Sequence, residues 1–184
     1  MAGNGLVTND NAVLVIIDVQ EKLFPRMAEK QRLIENLEKL IQFAGIMKIP
    51  IIVTEQYPKG LGQTVTAIKK HVPHITPVEK VEFSCFESAK FKEALANLEA
   101  KTLIIAGIEA HICVTQTAID GRQSGYRICV VEDAVSSRNL SDKAAAVERM
   151  RQNGVTIVTS EMLIYEILKK AGTDEFKQAL KLVK

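Results

Sequence analysis

Tryptophan is absent from this chain, and cysteine is scarce: Cys85, Cys113 and Cys129 are the only three. An odd count with no Cys-x-x-Cys pair gives no disulfide framework and no cysteine-rich zinc site. No apolar run approaches the ~20 residues of a membrane-spanning helix. The N-terminal MAGNGLVTNDN lacks the basic segment and apolar stretch of a secretory signal. A formal net charge of +2 is too small to draw the chain to nucleic acid or to an anionic membrane, and no Lys/Arg block is interleaved with aromatics. These absences leave a soluble domain in a reducing compartment, expected to be cytoplasmic. No repeat, low-complexity segment or linker divides the sequence, so residues 1–184 read as one domain, long enough for a full core.

What is present is a series of short apolar runs separated by helical patterns. Ala12 to Ile17, AVLVII, is continuous and β-branched and ends in Asp18, as a strand buried on both faces would. Leu33, Ile34, Leu37, Leu40, Ile41 and Ala44 fall on one helical face. Further strands are predicted at Ile51 to Thr54, Pro77 to Lys80, Leu103 to Ala106 (stopped by Gly107), Arg127 to Val131 and Val155 to Thr159. Helices are expected after most of them, with Ser88, Ser141, Ser160 and Thr173 as N-caps. Residues 1–11 read as a loose lead-in. Residues 55–77 read as a long connection with one short helix at Val65 to Lys70, and a connection of that length is usually functional or a contact surface. This alternation predicts a three-layer α/β/α sandwich on a six-stranded parallel sheet, Rossmann-like, with strand order 3-2-1-4-5-6.

That order predicts where chemistry collects. Ligands of open parallel sheets bind beyond the carboxyl ends of the strands, where the order reverses. Asp18 ends strand one, Lys80 ends strand three, and Cys113 follows strand four at what reads as the first turn of a helix. An acid, a cation and a thiol could meet over one crevice. The carboxylate could take the thiol proton and return it to a leaving amine, and the ammonium favours both anions. Unpaired N–H groups at a helix start favour thiolate over thiol, so Cys113 is a candidate nucleophile. It could equally be a small buried hydrophobe, as most free cysteines are.

Three motifs together resemble the isochorismatase-like cysteine hydrolases: the strand ending in Asp18-Val19-Gln20, the segment Lys80-x-x-Phe83-Ser84-x-Phe86, and Gly107-Ile108-Glu109-Ala110-His111-Ile112-Cys113-Val114-x-Gln116-Thr117-Ala118. Thr54 to Gly62, TEQYPKGLG, is similar to the second-strand loop of the uncharacterised isochorismatase-domain branch. The resemblance implies Asp18 as general base and acid, Lys80 as its electrostatic partner and Cys113 as nucleophile. It implies a non-proline cis peptide between Ile108 and Glu109, turning the N–H of Glu109 to form an oxyanion hole with that of Cys113. The implied reaction is acyl transfer through a Cys113 thioester, on a small amide or related C–N bond.

Relatives that act on nicotinamide carry metal-binding histidines after the second strand, where this chain reads Glu55-Gln56-Tyr57. No metal and no cofactor are therefore expected. True isochorismatases lack the nucleophilic cysteine, so that activity is not expected either. Leu23, Phe24, Tyr57 and Phe86 lie on loops near the strand ends and are the expected pocket walls. The expected partners are a small-molecule substrate and further copies of the chain, as a dimer or tetramer, with neither nucleic acid nor membrane. The alternative is a non-enzymatic interaction protein that keeps the fold and an unused triad.

Overall fold

Six consecutive buried residues make β1 (Ala12–Ile17) a central strand. Such a strand needs partners along both edges and helices over both faces. The computed structural model, which describes residues 5–183, supplies both. The chain continues through α1 (Lys30–Met47), β2 (Ile51–Gln56), α2 (Pro58–Leu61), α3 (Thr66–Lys69), β3 (Val78–Lys80), α4 (Ala89–Asn97), β4 (Thr102–Ile108), α5 (Thr115–Gln123), β5 (Arg127–Ser136), α6 (Leu140–Gln152), β6 (Thr156–Val158), α7 (Ser160–Leu168) and α8 (Asp174–Val183). All pairings are parallel and the order is β3-β2-β1-β4-β5-β6, as the alternation of runs predicts.

The pleat of β1 divides the core. Leu14 and Ile16 face a cluster built from α1, α7 and α8, with Phe43 and Leu163. Val13, Val15 and Ile17 face the opposite cluster from α4, α5 and α6, with Phe91, Leu95 and Met150. The central strands β1 and β4 thus bury both rows of side chains, which is why their runs are continuous rather than alternating.

Several boundaries differ from the expectation, each for a local reason. Gly107 does not stop β4. It sits inside the strand at φ +113°, and a Cβ there would lie 2.2 Å from the Ile17 carbonyl oxygen, so the glycine lets β4 stay against the end of β1. The register to β5 shifts between Ile105 and Gly107, and β5 runs on to Ser136. Asn139 rather than Ser141 caps α6. Thr159 rather than Ser160 caps α7, because the N–H and hydroxyl of Ser160 both donate to Asp133 Oδ1, at 2.7 and 2.8 Å. Thr173 does cap α8, accepting from the Phe176 N–H at 3.1 Å.

Residues 1–4 of the expected loose lead-in, and Lys184, lie outside the described residues. From Val7 onward the lead-in is fixed: Val7 is buried and its N–H donates to Glu166 Oε2 at 2.8 Å. The 55–77 connection contains α2 as well as α3, and it is tied to the end of β1 by the Val65 N–H donating to the Val19 carbonyl at 2.9 Å.

Candidate active site

β1 delivers Asp18 to the carboxyl edge of the sheet in the left-handed region, at φ +53°, which a short polar side chain tolerates. Asp18 is fully buried. Burying a carboxylate is costly unless its lone pairs are taken. Thr54, at the end of β2, donates its hydroxyl to Asp18 Oδ1 at 2.6 Å. Lys80, at the end of β3, donates Nζ to Oδ2 at 2.7 Å, with both side chains sealed from solvent.

The ammonium is satisfied in turn. Lys80 Nζ also donates to Gln56 Oε1 at 2.7 Å and to the Glu82 carbonyl at 3.1 Å. Gln20 locks this glutamine's backbone: Nε2 of Gln20 donates to the Gln56 carbonyl at 3.0 Å, and its Oε1 accepts the Gln56 N–H at 2.8 Å. Burial alone would lower the Lys80 pKa, but its neighbours, the Asp18 carboxylate foremost, outweigh it and hold the ammonium above its ordinary value. Lys80 is therefore a fixed cation at any physiological pH.

Cys113 stands in a single π-turn, Ala110–Val114, between β4 and α5. The turn is closed by the Thr115 hydroxyl donating to the Ala110 carbonyl at 2.6 Å. Cys113 is 6% exposed and stands close enough to Asp18 and Lys80 to feel both charges. Burial and then the Asp18 carboxylate push the thiol well up, with Lys80 opposing. This corrects the expectation of a thiol lowered by a helix start: desolvation and a nearby acid exceed the helix-end effect, and the resting group is a neutral thiol. The structure brings Asp18, Lys80 and Cys113 together.

It also brings in a residue that the sequence reading left aside. The Cys85 N–H donates to Thr117 Oγ1 at 2.9 Å, tying the loop after β3 to α5. Cys85 thereby feels Lys80 and Asp18, and burial pushes its thiol up to about 12. Thr54, Gln56 and Gln20 were likewise not singled out for a role. The available signal was the run of polar residues Thr54-Glu55-Gln56 prolonging an apolar strand that the sheet buries.

The peptide between Ile108 and Glu109 is cis. The Glu109 side chain is buried and paired, its Oε2 accepting from Arg138 Nε at 3.0 Å and from the Arg138 N–H at 3.1 Å. His111 faces Ser137, with Nδ1 2.9 Å from Oγ. Of the four expected pocket residues, Tyr57 is exposed and joins Lys80, Val81 and Glu82 around a cavity of about 480 Å³. Leu23 and Phe24 pack half-buried on the α1 side of the core. Phe86 is a core residue rather than a wall, edge-on to Phe91 with ring centroids 5.6 Å apart. Among the described residues no group of three or more His, Cys, Asp or Glu side chains is arranged to hold a metal ion.

The buried thiols set a pH dependence. Cys85, Cys113 and Cys129 are all raised, burial being the largest cause in each. Unfolded thiols titrate near ~8.5, so above that pH the unfolded chain releases protons that the folded chain keeps. Stability is expected to fall as pH rises above about 8.5, by up to ~1.4 kcal/mol per pH unit for each thiol. Lys80 acts in the same direction, since its pairing is complete below the ordinary lysine value and is lost as pH rises through the raised folded value. Denaturant melts from pH 7 to pH 10.5 check this. Cys129→Ala should flatten the slope by one thiol's share, and an unchanged slope would contradict the assignment.

Sheet order and site define an α/β domain with a carboxylate, an ammonium and a thiol buried together beyond the carboxyl ends of β1, β3 and β4. Residues 12–162 match the isochorismatase domain, and the chain belongs to that family, as its three motifs suggest. The zebrafish (Danio rerio) isochorismatase domain-containing protein 2 is 35% identical over 183 residues, covering 100% of this chain and 92% of the relative. Among solved structures, one described as the MAR1 ribonuclease of Caenorhabditis elegans is 37% identical, with TM-score 0.89 over 97% of this chain and 92% of that one. The YcaC gene product of Escherichia coli, described as an octameric hydrolase of unknown specificity, shares the fold at 22% identity, with TM-score 0.89 over 96% of this chain and 90% of that one. Among the described residues no helix is long and apolar enough to cross a membrane.

Proposed function

We propose that this chain is a cysteine hydrolase of a small amide or related C–N bond, working through a Cys113 thioester with no metal ion or organic cofactor. Membership of the isochorismatase domain family supports a hydrolase; the finer reading rests on one observation. The fully buried carboxylate of Asp18 is held by Lys80 and Thr54 within electrostatic reach of the Cys113 thiol.

In this reading the thiol proton passes to Asp18 as sulfur attacks the carbonyl carbon. The oxyanion is met by the N–H groups of Glu109 and Cys113. The C–N bond breaks as Asp18 returns the proton to the departing amine. Water then adds to the thioester, giving its proton to Asp18. Collapse releases the acid, and the thiol regains its proton. Lys80 keeps Asp18 oriented throughout and moves no proton. Tyr57, beside Lys80 in the 480 Å³ cavity, is the pocket residue this reading retains. Three free thiols suit a reducing cytoplasm, and the active form is a homo-oligomer.

The 37% identity to a protein described as a ribonuclease favours a second reading, RNA cleavage. There the 2′-hydroxyl of the substrate is the nucleophile, and Asp18 and Lys80 would serve without Cys113.

Intact-mass spectrometry of the protein mixed with a panel of small amides tests the proposal. An acyl adduct on the Cys113 peptide, with release of the amine, is the expected result. Amide turnover that survives selective alkylation of Cys113 would overturn it. No turnover at all, with Cys113 alkylated no faster than Cys129, would leave the non-enzymatic interaction protein.

A further inference from the structure

A second cavity, of about 390 Å³, lies at the opposite edge of the sheet, floored by the first residues of β4, β5 and β6. Its lining includes Thr8, Thr102, Arg122, Arg127, Gly154 and Thr156. The seven residues of β4 separate it from the catalytic edge by roughly 20 Å at ~3.3 Å per residue. It is therefore no part of the site described above, and its volume falls in the usual range for small-molecule sites.

Three features of the lining point to one ligand chemistry. The first is a pair of orphan hydroxyls. Among the described residues only Thr8 Oγ1, Thr102 Oγ1 and His71 Nε2 are buried side-chain polar atoms without a hydrogen-bond partner. His71 Nε2 lies 3.5 Å from Glu38 Oε1, which accounts for it. The residues that carry the two others, Thr8 and Thr102, both line this one cavity, and Thr102 is only 4% exposed. A buried hydroxyl left unpaired is costly and calls for an explanation.

The second feature is charge. Arg122 and Arg127 both line the cavity, and among the described residues neither pairs with a carboxylate. The one bond of the Arg122 guanidinium among the described residues is a 3.3 Å donation to the Tyr126 carbonyl. Glu166, the acid felt by Cys129 in the cavity wall, already has its Oε2 engaged by the Val7 N–H. The third feature is placement. The Arg122 guanidinium packs over Gly154, 3.4 Å from where a Cβ would stand, which sets it beside the start of β6.

We infer that this cavity is a binding site for a small phosphomonoester, its phosphoryl group held by Arg122 and Arg127 and by the hydroxyls of Thr8 and Thr102. Guanidinium forks match phosphoryl oxygens in pairs. The donors come from four elements, the lead-in, β4, α5 and β5, and so converge from several directions. A tetrahedral group with three terminal oxygens can meet them together, whereas the two oxygens of a planar carboxylate cannot.

The experiment uses the full chain and two probes, inorganic phosphate and glycerol 3-phosphate, with acetate as the carboxylate control at matched ionic strength. Amide chemical shifts of Thr102, Arg127 and Thr156 are followed by NMR. Both phosphates are expected to give saturable shifts at millimolar concentration. Thr102→Val, which keeps the shape and removes the hydroxyl, should weaken binding by at least ~10-fold, and Arg122→Gln with Arg127→Gln should abolish saturation. Both variants lie a strand length from Asp18 and should leave any amide turnover unchanged. Shifts that do not saturate, binding unaltered in the variants, or acetate binding as well as phosphate would each overturn the inference.

Discussion

Cys113→Ser is expected to lower amide turnover by at least ~10⁴-fold while leaving the fold in place. In the proposed mechanism the thiol reacts only once its proton has moved to Asp18, and its environment makes that transfer uphill, because burial and Asp18 both raise it. A serine hydroxyl is a much weaker acid than a thiol, so the same carboxylate cannot activate it. Stability should change little, by less than ~1 kcal/mol, because the hydroxyl fits the space. The measurement is initial rate on an amide found in the screen, beside a denaturant melt. Turnover above a tenth of the parent value would show that the thiol is not the nucleophile. RNA cleavage that persists undiminished in the same variant would move the assignment to the second reading.

The sign of the Cys113 shift also separates two ways of making a cysteine nucleophile. A lowered thiol is a standing thiolate, reactive toward any electrophile that reaches it. A raised thiol beside a carboxylate is inert until a substrate supplies the oxyanion that the turn can hold. The second arrangement, which this site has, predicts slow alkylation at neutral pH together with proficient turnover of the right amide.

The parts of this molecule legible in the sequence are those written as local patterns. AVLVII ending in Asp18, and the weaker run ending in Lys80, mark strand and terminus together, and parallel pairing then carries both polar residues to one edge. Cys113 follows β4 closely enough to reach that edge. What stayed hidden depends on pairwise geometry. Gly107 reads as a strand breaker because its neighbour, the backbone of Ile17, is 90 residues away in sequence. Gln20 and Gln56 look like solvated loop residues until the crossing of β1 and β2 makes each the other's partner. Ser160 looks like a better cap than Thr159 until Asp133 takes its hydroxyl. The direction of the Cys113 shift is illegible in the sequence for the same reason: the helix start is local, but the burial and the acid that override it are tertiary.

The Asp18–Lys80 pair carries the largest expected effect on stability. Lys80→Met should cost about 3–5 kcal/mol, because it strands a fully buried carboxylate. Asp18→Asn should cost less, since the amide still accepts from Thr54 and Lys80 retains Gln56 and the Glu82 carbonyl. The double variant Asp18→Asn with Lys80→Met should recover much of the Lys80→Met loss, because no charge is then left buried without a partner. The coupling between the two positions, read from denaturant melts of the four proteins, should therefore be large and of compensating sign. Additive losses would mean that the pair is solvated and independent. Compensation in stability without any return of turnover would locate the value of this ion pair in proton handling at Cys113 rather than in holding the sheet together. A stability-driven origin would predict the reverse, since an apolar pair of the same volume could fill this place at no loss.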